Sequence, residues 1–169
     1  MGVVYFSDLV YHVVTRESLL EEWHCKRVLV DTYVARVEEL MALKTVAVLD
    51  DDPALIELYR TILQEEGYRF VPISYTSDFA SLMRSIWQAN ADLLILDIRI
   101  PGVDSFEVIE ALETTSKVRK PKILVCSASR NEIKAMEQKL HESALAVPTI
   151  LEKPFDLDDF VTQVQSLLG

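Results

Sequence analysis

Residues 92–97 read Asp-Leu-Leu-Ile-Leu-Asp, a short apolar run enclosed between two acids. Every inner position is apolar, which is typical of a strand that is buried on both faces. Comparable runs occur at 45–49, 68–73, 121–126 and 147–151. Strands of this kind need helices on both faces of their sheet, so we predict that they are parallel.

Helical patterns separate these runs, and one more follows the last of them. In the first, Pro53 suits the first helical position, Asp52 the N-cap and Gly67 the position just past the helix end. The other helical patterns lie at 77–87, 104–113, 131–141 and 157–168. This alternation predicts an α/β fold with a doubly wound five-stranded parallel sheet, in which ligands bind beyond the carboxyl ends of the strands.

The composition narrows the classes of function. The 169 residues carry a net charge of −10, so we expect no nucleic-acid partner, because nucleic acid is a polyanion. The N-terminus lacks the basic and apolar regions of a signal peptide, and no apolar stretch approaches the roughly 18 residues that span a bilayer. We therefore expect a cytoplasmic protein with no membrane partner. Cys25 and Cys126 lie far apart and are predicted to be reduced thiols.

Residues 1–44 form a different part of the chain, and we place a domain boundary between them and residues 45–169. A helix is predicted over about 16–43, with a capping box formed by Ser18 and Glu21. An apolar seam must be buried against something. Packing onto the chain's own domain, a coiled-coil homodimer and docking on another partner all remain open. The seam has heptad spacing with one polar intruder, and its members are Leu20, Trp23, Arg27, Val30, Val34, Val37 and Met41.

Polar side chains follow the predicted strands where those strands end. Asp50 and Asp51 follow the first strand and Asp97 closes the third. The carboxyl ends of parallel strands share one edge of the sheet, so these carboxylates are expected to converge there. Carboxylates held close together repel one another, and a hard cation such as Mg²⁺ relieves that repulsion. With the charge compensated, Asp97 becomes a plausible nucleophile toward a phosphoryl group.

A lysine and a serine complete this predicted site. Lys153 follows the fifth strand and would neutralise one phosphoryl oxygen, while the hydroxyl of Ser127, after the fourth strand, could donate to another. Asp52 is better explained as a helix cap than as a ligand. Taken alone, Lys153 would be an ordinary surface lysine, so the prediction rests on the joint placement of these residues at strand ends.

Residues 45–169 resemble the receiver domain of bacterial two-component response regulators, a flavodoxin-like fold. The resemblance implies that Asp97 is the phosphoacceptor and that a histidine kinase or histidine phosphotransfer protein is the phosphodonor. It also implies that Asp51 binds Mg²⁺ directly, Asp50 mainly through water and Arg99 through its backbone carbonyl. Ser127 and Lys153 would hold the phosphoryl oxygens. The matching segments are Val46-Ala-Val-Leu-Asp-Asp-Asp-Pro53, Asp92-Leu-Leu-Ile-Leu-Asp-Ile-Arg-Ile-Pro-Gly-Val-Asp104, Ile123-Leu-Val-Cys-Ser-Ala128 and Leu151-Glu-Lys-Pro-Phe155.

The chain departs from the family pattern at several positions. Ile150 replaces an aromatic residue whose ring commonly reports activation, and Ser105 stands where glycine is frequent. Arg99 and Ser129 occupy positions that influence how fast the aspartyl-phosphate hydrolyses. The chain ends one helix after Lys153, so we expect a stand-alone switch that acts on a downstream protein target through protein contacts.

Two rival interpretations remain at this point. The chain could be a phosphatase or phosphotransferase with Asp50 as nucleophile and Asp52 as acid/base, in which case Asp97 would be incidental. It could also be a receiver-like scaffold that is never phosphorylated. We favour the phosphoacceptor switch, which catalyses at most its own phosphorylation and dephosphorylation, because all the acid, hydroxyl and lysine positions are filled.

Overall fold

A computed structural model describes residues 43–116 and 119–169, and in this part of the chain five parallel strands form one sheet. Their order across the sheet is β2-β1-β3-β4-β5. This confirms the doubly wound parallel sheet, since that order is the flavodoxin-like one. The apolar seam predicted from Leu20 to Met41, and Cys25 within that stretch, lie outside the described residues. The strands are β1 (Thr45–Leu49), β2 (Arg69–Pro72), β3 (Leu93–Asp97), β4 (Lys122–Ser127) and β5 (Thr149–Glu152).

The five helices of the described residues all begin at a polar N-cap whose side chain accepts a backbone N–H of the first turn. Asp52 is one of these caps, as predicted, and Gly67 follows its helix with a positive φ of 78°. The left-handed region suits glycine, which has no Cβ to clash. The helices are α1 (Pro53–Glu65), α2 (Phe79–Ala89), α3 (Ser105–Thr114), α4 (Arg130–Glu142) and α5 (Leu157–Leu168).

Alternate side chains of the strands feed two cores, one on each face of the sheet. Val46, Val48 and Ile95 pack with α1 and α5, whereas Ala47, Leu49 and Leu96 pack with α2, α3 and α4. Both faces of each inner strand are therefore buried, which explains the continuous apolar runs of the sequence. Among the described residues, no helix is long and apolar enough to cross a membrane.

The predicted ends of the outer strands were wrong by one or two residues. β5 begins at Thr149 instead of Val147, because Pro148 has no N–H to donate to the ladder and Val147 is exposed. β2 begins at Arg69 rather than Tyr68, whose N–H instead donates to the carbonyl of Leu63 in α1. β4, by contrast, continues through Ser127.

The position of the candidate site follows from the strand order. β1 lies between β2 and β3, so the chain crosses from one side of β1 to the other at this point of the sheet. A doubly wound sheet leaves a crevice there, beyond the carboxyl ends of the strands. Asp50 follows β1 directly and Asp97 is the last residue of β3.

Candidate functional site

Asp50 is held at the end of β1 by the turn into α1. It is 3% exposed, and its Oδ1 accepts the backbone N–H of Asp52 at 2.9 Å. Asp52 in turn accepts the N–H of Ala54 at 2.8 Å, which uses its carboxylate as the helix cap. Asp51 lies between them and is exposed. The run of three acids therefore divides into a buried carboxylate, an exposed carboxylate and a cap.

Asp97 lies across the crevice from Asp50, and its backbone pairs with Cys126 of β4. The residue is 9% exposed, and its Oδ1 accepts the N–H of Arg99 at 3.2 Å. This bond holds the carboxylate at the start of the loop between β3 and α3. Asp97 is thus buried enough to be fixed in position while retaining one accessible side.

Carboxylate oxygens of Asp50, Asp51 and Asp97 lie within 4.8 Å of one another. They line a cleft of about 310 Å³ that is also bordered by Leu55 and Ala128. Hard carboxylate oxygens in this number are the donors that Mg²⁺ prefers when it keeps part of its water shell. The donor set therefore fits this ion.

Lys153 supplies the positive charge of the cleft. Its Nζ lies 2.8 Å from Oδ2 of Asp50 and 3.2 Å from Oδ2 of Asp97. Burial by itself would lower the pKa of this ammonium, but the hydrogen bonds that it donates to Asp50 and Asp97 and the charges of both acids outweigh burial, so the pKa is raised. Lys153 is accordingly a fixed cation between two carboxylates rather than an ordinary surface lysine.

The segment around Lys153 is anchored on both sides. The N–H of Lys153 donates to the carbonyl of Ser127 at 2.7 Å. Two residues later, the Phe155 ring stacks with Tyr59 of α1 and Phe160 of α5, at centroid distances of 6.2 and 5.5 Å. The long, flexible side chain of Lys153 therefore extends into the cleft from a rigid main chain.

Ser127 is completely buried at the end of β4. Its hydroxyl oxygen accepts the N–H of Ser129 at 3.1 Å, and Ala128, the next residue along, lines the cleft. The carbonyl of Ser127 accepts the N–H of Lys153, which ties the end of β4 to the residue whose ammonium contacts two of the acids. The contact of its hydroxyl with a phosphoryl oxygen stays a prediction.

Arg99 lines the cleft, and its guanidinium extends to α4. Its Nε lies 3.6 Å from Oε2 of Glu132, with both side chains substantially exposed. Ser129 is the N-cap of α4 and accepts the N–H of Glu132 at 3.4 Å. Arg99 and Ser129, whose positions are expected to influence hydrolysis of the aspartyl-phosphate, both contact Glu132 in the first turn of α4.

Ile150 and Cys126 both belong to the core. Ile150 is partly buried and packs against the apolar cluster on the face of the sheet that α2, α3 and α4 cover. Cys126 is a free, fully buried thiol, and burial is the main cause that raises its pKa to about 12. Cys126 is therefore an unpaired thiol in the core.

The residue that sequence reasoning missed is Ser105, the first residue of α3. Its buried hydroxyl donates to the carbonyl of Asp97 at 2.9 Å and lies 3.2 Å from the carbonyl of Ile98. The only signal in the sequence was a serine where glycine is frequent. Nothing in the spacing of the residues indicated that its hydroxyl returns to the strand end.

The geometry defines a class of protein, and comparison with known proteins identifies the family. A crevice of this kind, at the switch point of a five-stranded parallel sheet, defines a flavodoxin-like α/β domain with a candidate ligand site beyond the strand ends. The model of the response regulator receiver domain matches residues 46–165. The chain therefore belongs to the response regulator receiver family.

Individual relatives agree with this assignment. The response regulator GtcR of Aneurinibacillus migulanus is 30% identical over 125 residues, covering 74% of this chain and 48% of GtcR. The chain thus spans about half the length of that relative. The polar-differentiation response regulator DivK of Brucella ovis is 22% identical over 126 residues, and there the match covers 75% of this chain and 97% of the relative.

Solved structures show the same fold. The signal receiver domain of a response regulator from Bermanella marisrubri superposes with a TM-score of 0.60 at 27% identity. That match covers 75% of this chain and 99% of the other. The chemotaxis protein CheY4 of Vibrio cholerae also has a TM-score of 0.60, with 23% identity over 75% of this chain and all of that one.

Proposed function

We propose that this protein is a phosphoacceptor signalling switch in which Asp97 takes up a phosphoryl group with Mg²⁺ bound beside it. The observation that carries the proposal is the convergence of three carboxylates within 4.8 Å around an anchored lysine. Phosphoryl transfer depends on positioning and on neutralising the phosphoryl oxygens, and this site offers both.

The reaction is a displacement at phosphorus. A carboxylate oxygen of Asp97 forms the new O–P bond while the N–P bond of a phosphohistidine breaks, and the released imidazole nitrogen takes a proton. Asp50, Asp51, Asp97 and the carbonyl of Arg99 would hold Mg²⁺, and the ion would supply further positive charge to the phosphoryl oxygens. Lys153 neutralises another oxygen, and Ser127 lies at the end of the strand next to Asp97.

Asp97 is favoured over Asp50 as the nucleophile because Asp50 is held more tightly. Both oxygens of Asp50 are engaged at 2.9 Å or less, one by the N–H of Asp52 and the other by Lys153. The corresponding contacts of Asp97 are 3.2 Å each, and Asp97 is the more exposed of the two. Asp52, the acid/base of the rival enzyme, is committed to capping α1.

The test is incubation of the wild-type chain with acetyl phosphate, followed by intact-mass measurement. We expect an acid-stable, base-labile phosphoryl adduct that forms with Mg²⁺ and not with EDTA, because acyl phosphates hydrolyse rapidly in base. If no adduct formed at any Mg²⁺ concentration, the receiver-like scaffold would be the correct description of this protein.

The phosphodonor in a cell is proposed to be a histidine kinase or a histidine phosphotransfer protein, and the output a contact with another protein. The net charge of −10 supports a protein target rather than nucleic acid. The proposed donor class is tested by transfer of radiolabel from a purified phosphohistidine protein to the wild-type chain. Labelling by acetyl phosphate but by no phosphohistidine protein would contradict it.

Residues 1–44 are proposed to form a separate element that pairs two copies of the chain through the seam over 16–43. The heptad spacing of that seam supports the proposal. Light scattering should give a dimer mass for the full chain and a monomer mass for a chain that begins at Lys44. Equal assembly states of the two chains would contradict this assignment.

A further inference from the structure

The hydroxyl of Ser105 donates a hydrogen bond to the main chain of Asp97, and this bond has no part in the phosphoryl transfer described above. The residue is 3% exposed, and its Oγ lies 2.9 Å from the carbonyl oxygen of Asp97 and 3.2 Å from that of Ile98. A serine hydroxyl has one proton, so the shorter contact with Asp97 is the main hydrogen bond. The main chain of the proposed phosphoacceptor is thus bonded to a side chain from another element.

The first turn of α3, which carries this hydroxyl, is held rigidly. Ser105 opens α3 directly after the N-cap Asp104, whose carboxylate accepts the N–H of Phe106 at 2.9 Å. One turn further on, Val108 and Ile109 are completely buried against the sheet. Because α3 cannot shift without disturbing this packing, the hydroxyl fixes the carbonyl of Asp97 relative to the core.

The two carbonyls that Ser105 engages precede the one proposed to bind the metal. Beyond the end of a strand, carbonyls need other partners when they are buried. Ser105 holds those of Asp97 and Ile98 beside α3, while Arg99, the next residue, lines the acidic cleft. Ser105 itself lines a different groove, between the β3–α3 loop and α4. The loop therefore turns between Ile98 and Arg99.

We propose that Ser105 is a positioning residue for the metal and phosphoryl site. Its hydroxyl holds the carbonyls of Asp97 and Ile98 on the α3 side, so that the carbonyl of Arg99 and the carboxylate of Asp97 are preorganised for Mg²⁺. This inference rests on the proposed function. Outer partners of metal ligands typically govern metal affinity by about 10–100-fold. Ser105 acts one bond further out, on the main chain of Asp97 and of Ile98, the residue before Arg99.

The test compares Ser105→Ala with Ser105→Thr and with a matched control, Ser85→Ala. Ser85 also donates its hydroxyl to a backbone carbonyl, that of Ser81 at 3.1 Å, but within α2. Mg²⁺ affinity is measured by calorimetric titration, and the initial rate of labelling by acetyl phosphate at several Mg²⁺ concentrations. All measurements are made well below the melting temperature of each variant.

Ser105→Ala is expected to bind Mg²⁺ about 10-fold or more weakly than the wild type, in the range typical of lost outer-shell partners. Its labelling should slow in parallel at low Mg²⁺ and recover in part at high Mg²⁺. Ser105→Thr, which retains the hydroxyl, should restore affinity, and Ser85→Ala should match the wild type.

The inference is overturned if Ser105→Ala melts at a lower temperature but binds Mg²⁺ and labels like the wild type, since a purely structural serine would behave in that way. Failure of Ser105→Thr to recover affinity while remaining folded would equally count against a role for the hydroxyl. Failure of the proposed function gives a different result, namely a wild-type chain that neither binds Mg²⁺ nor labels.

Discussion

Asp97→Asn is expected to abolish phosphorylation by acetyl phosphate and Mg²⁺ completely. An amide is not a nucleophile toward phosphorus. The other acids that line the cleft are Asp50, which is buried and bonded at both oxygens, the exposed Asp51, and Asp52, whose carboxylate caps α1. The variant should still fold, because asparagine preserves the shape of the side chain and the oxygen that accepts the N–H of Arg99. Intact-mass measurement after incubation with the donor reads the result directly.

Asp50→Asn is the matched comparison. It removes one charge from the same cleft but leaves the proposed acceptor, so labelling should persist and slow by about 10–100-fold at low Mg²⁺, as is typical when a partner of a metal site is lost. The opposite pattern, with labelling lost in Asp50→Asn and retained in Asp97→Asn, would establish the rival enzyme with Asp50 as nucleophile.

Among the substitutions proposed for this site, Lys153→Met is expected to lower the free energy of unfolding the most. The Lys153 side chain is 12% exposed and its ammonium lies between Asp50 and Asp97, so its removal leaves two buried carboxylates without their counter-ion. Truncating one partner of a buried ion pair costs about 3–5 kcal/mol. Urea denaturation in EDTA should show a loss of this size, whereas Lys134→Met, on the exposed side of α4, should stay close to the wild type.

The dependence of stability on Mg²⁺ and on pH provides two further tests of the role of Lys153. Mg²⁺ should raise the stability of Lys153→Met more than that of the wild type, because the ion compensates the same carboxylates. The folded state raises the pKa of Lys153, so its contribution is complete below the ordinary lysine pKa of 10.5 and is lost as pH rises through the higher folded value. A variant as stable as Lys134→Met at neutral pH would contradict the charge-compensation account.

The layout of the fold could be predicted from the sequence because its signals are local. Continuous apolar runs such as 92–97 mark strands buried on both faces, and Asp52, Asp78 and Asp104 mark helix starts. The outer strands were harder to delimit, since they are partly exposed and their ends depend on which N–H groups find partners. Pro148, which has no N–H to donate to the ladder, marks the start of β5 in the sequence.

The acidic site was predictable to the extent that topology determines it. The parallel sheet brings Asp50, Asp51 and Asp97 to one edge, and the structure places Lys153 between two of them. The bond from Ser105 to Asp97 depends on the path of the loop over residues 98–104, which follows no periodic pattern. The same holds for the link from Arg99 to Glu132, which joins residues with no spacing rule between them.

The central claim is that Asp97 is the residue that carries the phosphoryl group, and chemical mapping on the wild-type chain tests it most directly. Phosphorylated protein is treated with borohydride, which reduces an acyl phosphate to the alcohol and so converts the modified aspartate to homoserine. Tandem mass spectrometry then locates the changed residue. We predict homoserine at position 97 in the sample with donor and Mg²⁺, and none there with EDTA. Homoserine at position 50, with Asp97 unchanged, would contradict the account.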